Sequence, residues 1–110
     1  MQTVAEMNYY ASRAEKLLTK DERKEVIDTL ASDPLAGDII QGTGGIRKIR
    51  FAKGNKGKSG GVRVIYYFYN YINPILLLDI FSKNEKENLS KSERNELMQA
   101  IAILKKGLRR

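Results

Sequence analysis

The stretch from Gly42 to Phe68 combines side chains that bind phosphate with glycines that allow close backbone approach. A guanidinium holds a phosphate through two parallel hydrogen bonds, and an ammonium binds it as a point charge. No carboxylate interrupts this basic segment. It therefore predicts a surface that holds a sugar-phosphate chain, with an affinity that falls as the salt concentration rises. Its cationic residues are Arg47, Lys48, Arg50, Lys53, Lys56, Lys58 and Arg63.

The net charge of the chain is concentrated in this segment. The 110 residues carry 20 Lys and Arg against 13 Asp and Glu, a formal charge of +7. Because the basic segment supplies seven cations and no anion, the rest of the chain is balanced, with 13 charges of each sign. Charge gathered in this way concentrates the electrostatic field, which favours a polyanionic partner over a general role in solubility.

The residue types that are absent narrow the chemistry further. The sequence has no cysteine, which excludes disulfides, thiolate metal sites and a thiol nucleophile and is compatible with a reducing cytoplasm, the expected location. It has no histidine either, the commonest general base and metal ligand. We therefore expect neither a metal nor a cofactor. No apolar run approaches the roughly 20 residues of a membrane span.

The residues before the basic segment predict two helices. Apolar residues at helical spacing mark a helix from Tyr9 to Leu18. Thr19 to Glu22 has the form of a capping box, which starts a second helix. Asp33-Pro34 ends that helix, because the residue before proline avoids the helical region. A short first strand is expected within Met1 to Met7.

The second half predicts a sheet followed by a helix. Strands are expected at Ile46–Ala52, Val62–Tyr69 and Ile75–Phe81, and the last is almost wholly apolar and therefore central. A second capping box, Ser90 to Glu93, starts the final helix. Its core-facing residues are expected to be Leu97, Ile101, Leu104 and Leu108. We therefore expect a single α+β domain over residues 1–110: a small antiparallel sheet with two N-terminal helices and a C-terminal helix packed on it.

Strand geometry places part of the basic segment on one face. Alternation points Lys48 and Arg50 to one side, away from Ile49 and Phe51, and Arg63 joins them if the register allows. The connecting loop, residues 53–61, carries the remaining lysines above that face. The alternative interpretation is an edge strand that its lysines protect against aggregation, although such protection does not need this many cations.

Two features of the segment have simpler explanations than ligand binding. The runs "GTGG" at 42–45 and "GKSGG" at 57–61 lack the spacing and the strand-to-helix context of a Walker loop, so these glycines are expected to shape turns. Tyr66 and Tyr67 could stack on bases. Core packing is favoured for both, because successive strand residues point to the two packed faces.

Three segments resemble one known group of proteins. "GTGGIRKIRFA", "GKSGGVRVIYYF" and "LLLDIFSKNEKENLS", followed by a terminal helix, are similar in this order to the RelE/HigB branch of the RelE/ParE toxin superfamily. The resemblance covers essentially the whole chain. It implies a compact α+β fold and a ribosome-dependent endoribonuclease that cuts mRNA in the decoding site. It also implies a type II toxin–antitoxin system, with an antitoxin, expected to be a helix-turn-helix DNA-binding protein, that neutralises the toxin.

The resemblance also implies roles for single residues. Arg63 matches the arginine that opens the central strand and contacts the scissile phosphate. Lys48 and Arg50 match a pair of basic residues on the preceding strand. Asn84 stands where the family has a second catalytic arginine, and Ser90 stands where it has a tyrosine. These two departures leave the identity of the proton donor open.

RNA cleavage by its own 2′-OH needs a base, stabilisation of charge on the phosphorane, and a proton for the leaving 5′-oxygen. Arg63 suits a phosphate clamp and Arg50 a second stabiliser, because guanidinium stays protonated. Lys48 is the candidate base, since neighbouring cations favour the neutral form of an amine. The residues before the last helix supply two candidate acids and a possible second base: Lys83, Lys86 and Glu85. Contacts to RNA or the ribosome are expected from Arg47, Lys53, Lys56, Lys58 and Lys86.

Two other functions remain open from the sequence. A ParE-like toxin that inhibits DNA gyrase shares the fold and needs no catalytic basic cluster. A non-catalytic RNA- or ribosome-binding protein needs only the cationic surface. For the mRNA-cleaving function, the expected partners are a cognate antitoxin, the ribosome and mRNA, and no membrane.

Overall fold

The computed structural model describes residues 2–52 and 61–110, which form three helices and one five-stranded sheet. The α+β fold class is therefore confirmed. The predicted basic loop lies mostly outside the described residues. In chain order the described elements are β1 (Val4–Glu6), α1 (Asn8–Leu17), α2 (Lys20–Ser32), β2 (Asp38–Ile39), β3 (Ile46–Phe51), β4 (Val62–Tyr67), β5 (Ile75–Ser82) and α3 (Lys91–Lys105).

The sheet is mixed rather than wholly antiparallel. Its strand order is β1-β5-β4-β3-β2. The pairs β5–β4 and β4–β3 are antiparallel as expected, and so is the pair β3–β2. In contrast, β1 runs parallel to β5, with Val4 opposite Ile75. Most of the chain separates β1 from β5, so no short turn sets their relative direction. The prediction of a central third strand is confirmed, because β5 has a neighbour on each side.

Side-chain caps start two helices at the predicted residues. In each capping box the cap hydroxyl accepts from a backbone N–H three residues on, and a glutamate there accepts from the cap's own N–H. The pairs are Thr19 with Glu22 at α2 and Ser90 with Glu93 at α3. The start of α3 is thereby fixed just after the turn that follows β5. The short strand β2 was not predicted, because two exposed residues show no alternation.

The sheet separates two apolar cores. Helices α1 and α2 cover one face, where Tyr10, Leu30 and Val64 are buried, and α3 covers the other, where Ile65 and Ile101 are buried. Every residue of β4 is buried, since the strand lies between both layers. Each large apolar side chain buried in this way contributes roughly 1.5–3 kcal/mol. The predicted core face of the last helix is confirmed, because the core that holds Ile101 also contacts Leu97, Leu104 and Leu108.

A bulge in β5 decides which of its residues lies beside Arg63. Ile65 pairs with Asp79, but the next residue of β4, Tyr66, pairs with Leu77. The extra residue on β5 shifts its alternation by one position. Phe81 therefore lies opposite Arg63 and belongs to the core under α3.

Tyr66 ties the β3–β4 pair to the loop before β2. Its buried hydroxyl donates to the carbonyl of Pro34 and accepts from the N–H of Gly37, both at 2.8 Å. Glycine is needed at this contact, because a Cβ added to Gly37 would lie 2.8 Å from the Tyr66 hydroxyl oxygen. Burial raises the pKa of Tyr66, which keeps the hydroxyl protonated and able to donate.

Replacing Tyr66 by Phe should lower the free energy of unfolding by about 1–3 kcal/mol, because a buried N–H and a buried carbonyl lose their partner. Tyr10→Phe is the matched control. Tyr10 is equally buried, and no described residue hydrogen-bonds its hydroxyl, so its loss should leave stability unchanged or raise it. Chemical denaturation followed by circular dichroism measures both variants. Equal losses would contradict the role assigned to the Tyr66 hydroxyl.

Candidate nucleic-acid interface

The register of β3 and β4 brings three of the predicted cations to one face of the sheet. Arg50 lies directly opposite Arg63, and Lys48 lies opposite Ile65. Opposite residues of an antiparallel pair share a face, and Ile65 belongs to the core under α3. Lys48, Arg50 and Arg63 therefore form one surface on the α3 side, here called the cationic face.

The two arginines of the cationic face differ in exposure. Arg50 is exposed, whereas Arg63 is 3% exposed. Like charges at directly opposite strand positions repel each other. A phosphate bound between the two guanidinium groups would offset that repulsion. The register thus sets the two arginines side by side, as the shared phosphate-binding role expected of them requires.

The turn after β5 lies beside the start of β4. The backbone N–H of Lys83 donates to the carbonyl of Gly61 at 3.1 Å. Gly61 itself sits where a Cβ would lie 1.9 Å from the carbonyl oxygen of Phe51, so only glycine fits there. Lys83 and Asn84 are both exposed on this turn. The structure thus brings them close to Arg63, which is two residues beyond Gly61 on β4.

Lys48 is held by a residue that the sequence did not indicate. Its Nζ donates to Oδ1 of Asn88 at 2.5 Å, a contact that joins β3 to the loop before α3. The sequence did not predict this contact, because the two residues are 40 positions apart and Asn88 lies in a polar loop with no pattern of its own. Because the amide is neutral, the contact orients the Lys48 amine without placing an opposite charge beside it.

The two candidate proton donors differ in their partners. Lys86 forms an ion pair with Glu93, and its Nζ lies 4.9 Å from the centroid of the Phe81 ring. The hydrogen bond from Lys86 lowers the pKa of Glu93. Lys83 lies 4.0 Å from Glu87, an exposed pair of the kind that contributes little in water. Lys83 is therefore the more available of the two amines.

Glu85, a possible base by residue type, is engaged with α1. Its carboxylate accepts two hydrogen bonds from Arg13, at 2.7 and 2.6 Å, and these raise the pKa of Arg13. Arg13 also lies 3.4 Å from Asp79, whose pKa is raised by burial. These contacts favour an anchoring role for Glu85 over proton abstraction.

The remaining predicted contact residues lie away from the cationic face or outside the description. Arg47 points to the other side of the sheet, where it donates to the carbonyl of Gly37 at 2.7 Å. Tyr66 and Tyr67 are both buried, which confirms the packing interpretation. Outside the described residues lie Lys53, Lys56 and Lys58.

Two cavities border Lys48. The larger, about 740 Å³, lies between α2 and the outer edge of β3, and its lining includes Glu25 and Arg50. The smaller, about 160 Å³, is lined by the residue after β2 and by residues from β3, from the loop before α3 and from α3 itself. Its one α3 residue, Arg94, was not predicted, because it lies 31 residues beyond Arg63, outside the basic segment. The lining of the smaller cavity is Ile40, Lys48, Asn88, Leu89 and Arg94.

Residues 2–52 and 61–110 contain no group of three or more acidic side chains that could hold a metal ion. None of the helices in the same ranges is long and apolar enough to cross a membrane.

Comparison with known families agrees with the fold. The model of the family described as the RelE toxin of the RelE/RelB toxin–antitoxin system matches residues 6–109. The matched range contains all three described helices, the cationic face and the turn after β5. A match over this much of the chain shows its family. The chain belongs to the RelE toxin family of toxin–antitoxin systems.

Proposed function

We propose that this toxin is a ribosome-dependent endoribonuclease that cuts mRNA and so inhibits translation. The observation that carries the proposal is the β3–β4 register, which sets Arg50 opposite Arg63 with Lys48 on the same face. The turn that carries Lys83 lies beside them. Several cations can therefore reach one phosphodiester, a convergence that an inhibitor acting by binding alone does not need. Membership of the RelE family supports the same function.

In the proposed reaction the 2′-oxygen bonds to phosphorus and the bond from phosphorus to the 5′-oxygen breaks. The products are a 2′,3′-cyclic phosphate and a free 5′-hydroxyl. Lys48, oriented by Asn88, takes the proton of the 2′-OH. Arg63 and Arg50 stabilise the phosphorane, and Lys83 protonates the leaving oxygen. Metal takes no part in this scheme.

The ribosome is proposed to supply the geometry that the toxin lacks. Lys48 and Lys83 carry their amines on long side chains, and Lys83 is exposed. Such groups reach high rates only when the reacting atoms are held in line. A message fixed in the decoding site meets that requirement, whereas a free RNA strand does not.

The neutralising partner is proposed to bind through a segment with net negative charge that orders on binding. The family implies a cognate antitoxin. A toxin with a formal charge of +7 attracts such a segment by electrostatic complementarity, and a disordered segment can wrap a large surface. For the rest of the antitoxin we propose a helix-turn-helix DNA-binding protein.

The purified protein should cut a message on programmed ribosomes and leave the same RNA intact when no ribosome is present. Primer extension on the message maps the cuts, and the antitoxin encoded beside the toxin gene should abolish them. Equal cutting of naked and ribosome-bound RNA would contradict the ribosome dependence. Absence of cutting together with inhibition of DNA gyrase supercoiling would favour the ParE-like alternative instead.

Arg63→Ala should lower the single-turnover cleavage rate by about 10²–10³-fold and change ribosome affinity little, because a charge stabiliser acts in the transition state. Arg63→Lys keeps the charge but loses the bidentate geometry, so its rate should lie between those of Ala and the wild type. Lys16→Ala, which removes an exposed cation from α1, is the control and should leave the rate unchanged.

Binding and catalysis can be separated by comparison with the basic loop. Lys56→Ala and Lys58→Ala should weaken ribosome binding in a salt-dependent way and spare the rate at saturation. Because Arg63 is buried, thermal melts followed by circular dichroism must first show that its variants keep the fold. A folded and fully active Arg63→Ala protein would remove the group on which the scheme most depends.

Lys83→Ala should lower the cleavage rate more than Lys86→Ala, since the Lys86 ammonium is held by Glu93. Asn84→Ala should be mild, because a neutral amide does not replace a cation. A substrate with sulfur in place of the leaving 5′-oxygen needs no proton on that atom and should restore the rate of Lys83→Ala. Failure of the sulfur substrate to restore the rate would show that Lys83 is not the acid.

A further inference from the structure

The small cavity beside Lys48 has a lining of which the proposed reaction uses only Lys48 and Asn88. Its volume is about 160 Å³, room for roughly five water molecules at about 30 Å³ each. Ile40 follows β2, Asn88 and Leu89 precede α3, and Arg94 lies in the first turn of α3. We call it the Asn88 cavity. With Lys48 on β3, the lining comes from four separate parts of the fold.

The lining of the Asn88 cavity suits a planar ring with a polar edge. Leu89 is 7% exposed and Ile40 is half-buried, so both present aliphatic surface. Asn88 adds an amide, which carries both a donor and an acceptor. Unpaired bases of RNA are recognised by this combination of contacts to the ring and hydrogen bonds to its edge.

Hydrogen-bonding capacity in the cavity is left for a ligand. Oδ1 of Asn88 accepts from Lys48, and no described residue accepts a hydrogen bond from its Nδ2. Within residues 2–52 and 61–110 no carboxylate pairs with Arg94. Lys86, by contrast, is paired with Glu93. The cavity therefore offers a donor for a base edge and a cation for a phosphate.

We propose that the Asn88 cavity is a subsite that recognises one nucleobase of the mRNA, in the nucleotide next to the scissile phosphate. The proposal rests on the proposed function. Lys48 lines the cavity and also belongs to the cationic face, so a base held there is adjacent to the reacting phosphodiester. Asn88 contacts the base edge and specifies, whereas Arg94 contacts the flanking phosphate and positions.

The first test is a message library with a randomised codon, cut on programmed ribosomes and read by sequencing the cleaved ends. The wild-type protein should show a preference for a base at one codon position. Asn88→Leu, similar in size but without the amide, should lower that preference by about 10-fold, the order of a good side-chain contact to a base. Loss of the Asn88 contact to Lys48 would slow the cutting of all codons equally. Because the preference is a ratio of rates between codons, such a general loss would leave it unchanged.

Two further variants make the test specific. Arg94→Gln should lower the cutting of all codons and keep the preference, because a phosphate contact carries no sequence information. Asn95→Leu makes the same change as Asn88→Leu at an exposed position of α3, and it should alter neither rate nor preference. A preference that persists unchanged in Asn88→Leu would come from the ribosome and would overturn the proposal.

A second test needs no ribosome and separates this proposal from the proposed function. In solution NMR, nucleoside monophosphates and unphosphorylated nucleosides should both shift the side-chain amide signals of Asn88, and inorganic phosphate should not. A shift with inorganic phosphate alone would make the cavity an anion site and overturn base recognition, as would no shift with any nucleoside. If the amide shifts but no codon is cut, the proposed function fails and the base subsite stands.

Discussion

The antiparallel register between β3 and β4 is the constraint on which the functional surface depends. It sets Arg50 opposite Arg63, and a slip of one residue would send one of them to the other face of the sheet. Burial enforces the register, because Val64 belongs to the core under α1 and α2 while Ile65 belongs to the core under α3. A strand that is apolar on both faces thus holds an arginine in place at its end.

The turn after β5 completes this surface through contacts at the two ends of the loop that leads to α3. The Lys83 N–H bonds to Gly61 beside the start of β4, and the capping box at Ser90 fixes where α3 begins. Between those two points Asn88 reaches Lys48. The backbone of this loop is therefore fixed at both ends, and this limits the positions that its exposed cations can take.

Among the described residues, some cations pair with carboxylates and others do not. Arg13 and Lys86 each contact a carboxylate and tie α1 or α3 to the end of β5. Among the described residues, Arg50 and Arg94 contact no carboxylate, and both lie near Lys48. Local excess charge of this kind costs repulsion in the free protein, and an anionic ligand removes that cost.

The sequence by itself determined the α+β class, the starts of α2 and α3, the three long strands and the cationic segment, because capping, alternation and burial are local signals. Only the tertiary structure decided that β1 is parallel, that Arg63 shares a face with Lys48, and that Glu85 pairs with α1. It also revealed Asn88 and Arg94. These outcomes depend on register, on a bulge and on contacts between residues far apart in the chain, and no local pattern of residue types records such contacts.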